Sequence, residues 1–121
     1  MNSKETAVFA ANVLNEKKAK EITLIDVEGL TSVADYFLLA TATSSTHVRA
    51  LAEEVEDKLS EEGIEPSHIE GRATDWILLD YGDTVIHIFG RQSRDFYSLD
   101  RMWQDGKIID LNSILDAPVE D

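Results

Sequence analysis

The chain contains no cysteine. That excludes disulfides, thiolate catalysis, iron–sulfur clusters and cysteine-ligated zinc, and it leaves the redox compartment open. Glycine is sparse: its six residues stand singly at 29, 63, 71, 82, 90 and 106, so no Gly-x-Gly-x-x-Gly phosphate loop exists. Gly106-Lys107 is followed by Ile108 where a P-loop carries a hydroxyl, and Arg101 fills the upstream glycine position, which rules that loop out. Cations are also few, 11 Lys and Arg against 24 Asp and Glu, a net charge of −13. Nucleic-acid affinity comes mostly from cation–phosphate pairing, so direct binding of DNA or RNA is not expected. An anionic membrane surface is disfavoured for the same reason, whereas a basic protein is attracted. No apolar stretch approaches the roughly 20 residues that span a bilayer. The start, Met1-Asn-Ser-Lys-Glu-Thr6, passes into a helical pattern without a basic and apolar leader, so a cytoplasmic location is expected.

What remains is 121 residues, 43% hydrophobic and 29% charged, a balance that suits one globular domain with a single core. Residues 3–18 read as a helix capped by Ser3 or Thr6, with Val8, Phe9, Ala11, Val13 and Leu14 on its apolar side. Residues 21–28 alternate Ile22, Leu24 and Asp26 with Thr23, Ile25 and Val27, a period-two strand closed by Gly29. Residues 36–43 are almost continuously apolar, as a strand covered on both faces must be. Ser44 and Ser45 supply capping hydroxyls for a second helix. Its stripe of Val48, Leu51, Ala52, Val55 and Leu59 is the clearest helical period in the chain. Gly63 and Pro66 end it. The runs 76–81 and 84–89, joined through Gly82-Asp83, predict a β-hairpin. A third helix is expected over 93–104, with Gly106 as its stop. A helix between strands implies a crossover, and the hairpin is antiparallel, so the sheet should be mixed.

Chemistry is harder to find. His47, His68 and His87 fall in different segments with no shared helix spacing, so no metal site is expected; His87 reads as a partly buried strand residue and His47 as a helix-start residue. No Gly-x-Ser-x-Gly elbow supports a Ser-His-Asp triad. Nucleotidyl transfer needs two carboxylates on one strand face and a phosphate-holding turn at a helix start. Asp26 and Glu28, spaced i, i+2, and the turn 41–45 with Ser44-Ser45 are the candidates. That turn lacks a glycine for close backbone approach. The acidic run 53–62 (Glu53, Glu54, Glu56, Asp57, Glu61, Glu62) reads as a solvated helix face that speeds encounter with a basic partner. In the hairpin, Trp76, Leu78 and Asp80 alternate with Ile77, Leu79 and Tyr81, and Val85, His87 and Phe89 with Ile86 and Ile88. Both faces carry large apolar groups, and three helices must cover them. Where they do not, Trp76 marks an interface patch; otherwise it is core.

Several stretches then occur in a fixed order: Asp35-Tyr-Phe-Leu-Leu-Ala-Thr-Ala-Thr-Ser-Ser-Thr-His-Val48, Glu70-Gly71, Asp75-Trp-Ile-Leu-Leu-Asp80-Tyr-Gly-Asp83, Val85-Ile-His-Ile-Phe89 and Arg94-Asp-Phe-Tyr97-Ser-Leu-Asp-Arg-Met-Trp103. Over about residues 5–105 this resembles the ribosomal silencing factor (Iojap-related) family. The resemblance implies a single α/β domain, a mixed β-sheet packed with about three helices, nucleotidyltransferase-like without the catalytic apparatus. It implies no enzyme activity, no cofactor and no metal. The partner it implies is the large ribosomal subunit, through its protein number fourteen, with small-subunit joining blocked and translation repressed. The alternatives are a nucleotidyltransferase-like enzyme, or a large-subunit assembly factor using the same surface. Matching positions place partner binding on Asp75, Trp76, Leu78, Asp80 and His87, then on Arg94, Tyr97 and Asp100. The domain is expected to span 1–106, with 107–121 a partly frayed tail, and monomer and homodimer are both left open. Ala42 departs from the family's usual glycine, Gln92 from a common acid, Asp100 from Glu and Met102 from Leu.

Overall fold

The first helix is capped by Asn2, one residue before Ser3 and four before Thr6. Asn2 Oδ1 accepts the Glu5 backbone N–H at 2.8 Å and Glu5 Oε1 accepts the Asn2 N–H at 2.9 Å. This reciprocal box needs an acid three residues after the cap, which Asn2 has and Ser3 and Thr6 do not. Helix α1 (Ser3–Glu16) buries Ala7, Ala10, Ala11, Val13 and Leu14, and the three alanines let its backbone approach the sheet. The computed structural model describes residues 1–71, 75–90 and 106–111.

Strand β1 (Lys20–Asp26) follows, with a bulge between Lys20 and Thr23. Strand β2 (Tyr36–Ala42) is buried at every residue, as its apolar composition requires. Ser44 caps α2 (Ser45–Glu61) by accepting the His47 N–H, and the expected stripe from Val48 to Leu59 is buried. Gly63 takes φ +78° just past the helix, a left-handed turn that glycine enters without a Cβ clash. There the Ile64 N–H reaches back to the Leu59 carbonyl at 2.9 Å. Strands β3 (His68–Glu70), β4 (Trp76–Asp80), β5 (Thr84–Gly90) and β6 (Lys107–Ile109) complete the described elements.

The six strands form one sheet in the order β3-β4-β5-β2-β1-β6. β2 and β5 are parallel, from Tyr36 opposite Thr84 to Ala42 opposite Gly90, and every other pair is antiparallel. The sheet is therefore mixed, as the crossover through α2 and the hairpin predicted. Helix α1 packs on β1, β2 and β5, and α2 on β2, β4 and β5. Both cover the same face, over Leu24, Leu38, Ala40, Ile77, Leu79, Ile86 and Ile88. The opposite face carries Ile25, Val27, Phe37, Leu39, Val85 and Phe89, with Trp76 and Leu78 at its margin. The helix expected over 93–104 lies outside the described residues.

The sheet continues past residue 106, where the domain was expected to give way to a tail. Lys107–Ile109 pairs with β1, Ile108 opposite Ile25 and Ile109 opposite Leu24, and Leu111 is only 8% exposed in the helix-side core. Without β6 the β1 backbone would present a row of unpaired N–H and C=O groups at the sheet edge.

Candidate functional site: the aromatic face of the sheet

Residues paired across neighbouring strands share a face, so the register assembles the site. Trp76 lies opposite Phe89, Leu78 opposite His87, and Asp80 opposite Val85. His87 then lies beside Leu39 and Val85 beside Phe37. Four rings converge in the middle. Phe37 meets His87 edge-on at 5.6 Å, and His87 stacks on Phe89 at 6.0 Å and 18°. Trp76 leans on both, at 5.7 Å from Phe89 and 6.1 Å from His87. Phe37 and Phe89 are buried; Trp76, Leu78 and His87 are half-buried.

His87 is the polar centre of this cluster. Trp76 Nε1–H donates to His87 Nδ1 at 3.3 Å, so Nδ1 is bare and the ring proton sits on Nε2. Burial lowers its pKa to about 4, because a charged imidazole loses its hydration among aromatic rings. At neutral pH the ring is uncharged, an acceptor that orients the indole.

The carboxylates predicted to fringe the site divide into two kinds. Asp75 is exposed, and its carbonyl accepts the Gly90 N–H at 2.8 Å. Its carboxylate lies over Gly90, where a Cβ would stand 3.0 Å from Oδ2. Asp80 is tied to the hairpin turn instead: Oδ1 accepts the Gly82 N–H at 2.8 Å, and Oδ2 lies 3.6 Å from His68 Nδ1. Gly82 itself turns at φ +84°, which an L side chain rarely adopts. Of the eight predicted site residues, Trp76, Leu78, Asp80 and His87 meet on one face with Asp75 at its end. Arg94, Tyr97 and Asp100 lie outside the described residues.

One residue of this face went unnoticed in the sequence. Glu70 pairs with Leu78 in the β3–β4 register, and with Gly71, Trp76 and Leu78 it lines a groove of about 280 Å³. The only sequence signal was Glu70-Gly71 within the ordered motifs; a three-residue strand has too short a period to reveal its face. A groove of about 410 Å³ runs along α1, past Met1, Lys4, Val8, Phe9 and Asn12, and includes none of the predicted site residues.

The nucleotidyl-transfer candidates do not assemble. β1 ends at Asp26, so Glu28 does not share its strand face as the i, i+2 spacing suggested. Asp26 Oδ1 accepts the Glu28 N–H at 3.0 Å, and Glu28 Oε1 accepts the Tyr36 hydroxyl at 3.2 Å. Burial, then the Asp26 charge and the Glu28 contact, push the Tyr36 pKa up to about 12, so that hydroxyl keeps its proton. At the helix start the Thr43 N–H donates to His47 Nδ1 at 3.0 Å and Ser44 caps the His47 N–H at 3.1 Å. Those donors are the ones a phosphate would need. Because Nδ1 accepts, Nε2 donates to the Lys17 carbonyl at 2.9 Å and ties α2 to the end of α1. Among the described residues no group of three His, Cys, Asp or Glu could hold a metal ion, and no helix is long and apolar enough to cross a membrane.

The fold defines a small α/β protein whose candidate site is an aromatic sheet face with an open edge groove. The chain belongs to the ribosomal silencing factor family: the model described as "Ribosomal silencing factor during starvation" matches residues 1–121. That match extends through the segment after residue 106, and its description is of a regulatory factor, not an enzyme. The chain is 38% identical over 113 residues to ribosomal silencing factor RsfS of Bacillus subtilis, covering 93% of this chain and 96% of that one. It is 30% identical over 105 residues to the chloroplastic protein Iojap of Zea mays, covering 87% of this chain and 46% of that one. The crystal structure of a protein from Chromobacterium violaceum superposes with a TM-score of 0.83 at 34% identity, covering 86% of this chain and 88% of that one.

Proposed function

We propose that this protein silences translation by docking on the large ribosomal subunit, through ribosomal protein fourteen, and occupying space that the small subunit needs. The observation that carries this reading is the half-buried Trp76–Leu78 pair beside an open groove, with Asp75 exposed at one end and Glu70 at the rim. Half-burial suits a binding anchor: the Trp76 indole is held by His87 and Phe89 before a partner arrives, so little side-chain freedom is lost on docking. An acidic domain of net charge −13 approaches a basic ribosomal protein readily while being repelled by rRNA phosphates. His87 acts as a positioning residue, and Arg94, Tyr97 and Asp100 extend the contact on the strength of the resemblance. The action is in the cytoplasm, where subunits join.

The test is co-sedimentation with purified large subunits, followed by addition of small subunits. The wild-type protein migrates with large subunits and lowers the yield of joined ribosomes. Trp76→Ala weakens binding at least about 30-fold, the equivalent of a 2 kcal/mol hot spot, and restores joining. Failure of the wild type to co-migrate, or joining that proceeds unimpeded, overturns the proposal.

A further inference from the structure

The groove at the β3–β4 edge has a chemistry that singles out its occupant, and the argument rests on the docking reading above. At about 280 Å³ it falls just under the roughly 300–1,000 Å³ of small-molecule pockets, room for one long side chain. Its described walls are formed by Trp76, Leu78, Gly71 and Glu70, and Glu70 stands opposite Leu78 on the same face. The indole N–H points at His87 Nδ1, so Trp76 contributes ring surface to the groove while its donor is occupied elsewhere. His87 behind it is neutral and sets no positive charge against a cation. The Glu70 carboxylate is held only loosely from within the described residues. His68 Nε2 stands 3.9 Å from Oε2, with the two side chains 52% and 67% exposed, and contacts of that kind contribute little.

From this we infer that the groove receives one lysine or arginine side chain of the docked protein, with Glu70 as the residue that selects for it. The aliphatic stem lies along Trp76 and Leu78, as long cationic side chains do on apolar surface. The charged head reaches the Glu70 carboxylate and the edge of the indole π-face. An apolar side chain of the same length would fill the same walls. It would also strip water from the Glu70 carboxylate without pairing it, which is unfavourable. An anionic group is repelled by Glu70 and by the whole acidic domain. The same logic explains why an acid stands beside the apolar anchor pair, at a register position where a further apolar residue would have enlarged the patch.

The experiment titrates purified large subunits with the wild type, Glu70→Gln and Glu70→Lys at several salt concentrations, using thermal melts to check that the exposed edge substitution leaves the fold intact. Wild-type binding establishes the docking reading independently of the groove. On that background Glu70→Gln weakens binding about tenfold, Glu70→Lys weakens it further, and the glutamine variant shows a shallower dependence of affinity on salt. If the wild type binds and Glu70→Gln matches it in affinity and salt dependence, the groove holds an apolar side chain or none. The inference then fails while the docking reading stands. If the wild type does not bind large subunits, both fall together.

Discussion

The imidazole of His87 sits among Phe37, Trp76 and Phe89, and its neutrality there has a consequence for stability. Unfolded, it takes up a proton near pH 6.5; folded, burial delays this to about pH 4. Between those values the unfolded chain binds more protons, so stability falls as pH is lowered through the window. The contribution is complete above about pH 6.5 and gone below about pH 4. Its change from pH 7 to pH 5 is about 2 kcal/mol. Urea unfolding at the two pH values measures it, and His87→Gln, which keeps an acceptor for the indole N–H and does not titrate, should lose about that much less on acidification. An equal loss in the variant would show that His87 is not the group responsible. The sequence marked His87 as a half-buried strand residue, because period-two alternation fixes its face. It could not assign the ring's partner, since Leu78 and Trp76 reach His87 only through the β4–β5 register. Asp80 teaches the converse. Alternation placed it on the face of Trp76 and the resemblance made it a contact carboxylate; what neither showed is that the turn two residues on draws Oδ1 to the Gly82 N–H.

Elements with a full period were legible. The stripe on α2 predicted its buried residues and Ser44 its cap, because a hydrophobic face and a capping hydroxyl are both local properties. The hairpin followed from alternation and Gly82 for the same reason. The three-residue strand β6 was not legible, since it exists by pairing with β1. For β6 the energetic stake is measurable. Ending the chain at Gly106 removes the β1–β6 ladder and the burial of Leu111, the latter alone about 2 kcal/mol. A thermal melt of that truncated protein should fall by roughly 5–10 °C or more. A melt unchanged from the full chain would mean that the ladder adds nothing to the fold.

At the scale of the molecule, the two faces of the sheet divide the work. Helices α1 and α2 cover one face, and the outer side of α2 carries Glu53, Asp57 and Glu61, with Glu62 as its C-cap, all exposed. The aromatic cluster and the groove belong to the other. The α2 acids therefore lie across the sheet from the proposed docking surface, where their field would guide approach without entering the contact. Replacing Glu53, Asp57 and Glu61 with glutamine should slow association with large subunits several-fold at low salt, and leave the dissociation rate nearly unchanged. Stopped-flow mixing at low and high salt separates the two rates. A change confined to dissociation would place α2 in the contact itself.

Composition, net charge and the two amphipathic periods were sufficient to predict one mixed α/β domain, to exclude phosphate loops and cysteine chemistry, and to favour a basic partner. They act locally or as simple sums, so the order of residues along the chain contains them. The ring cluster about His87, the tie of Asp80 to its turn, the placement of Glu70 at the groove and the inclusion of β6 all depended on which strands lie side by side. Strand pairing is a non-local choice, made by burying both faces of β2 at once, and only the folded sheet expresses it.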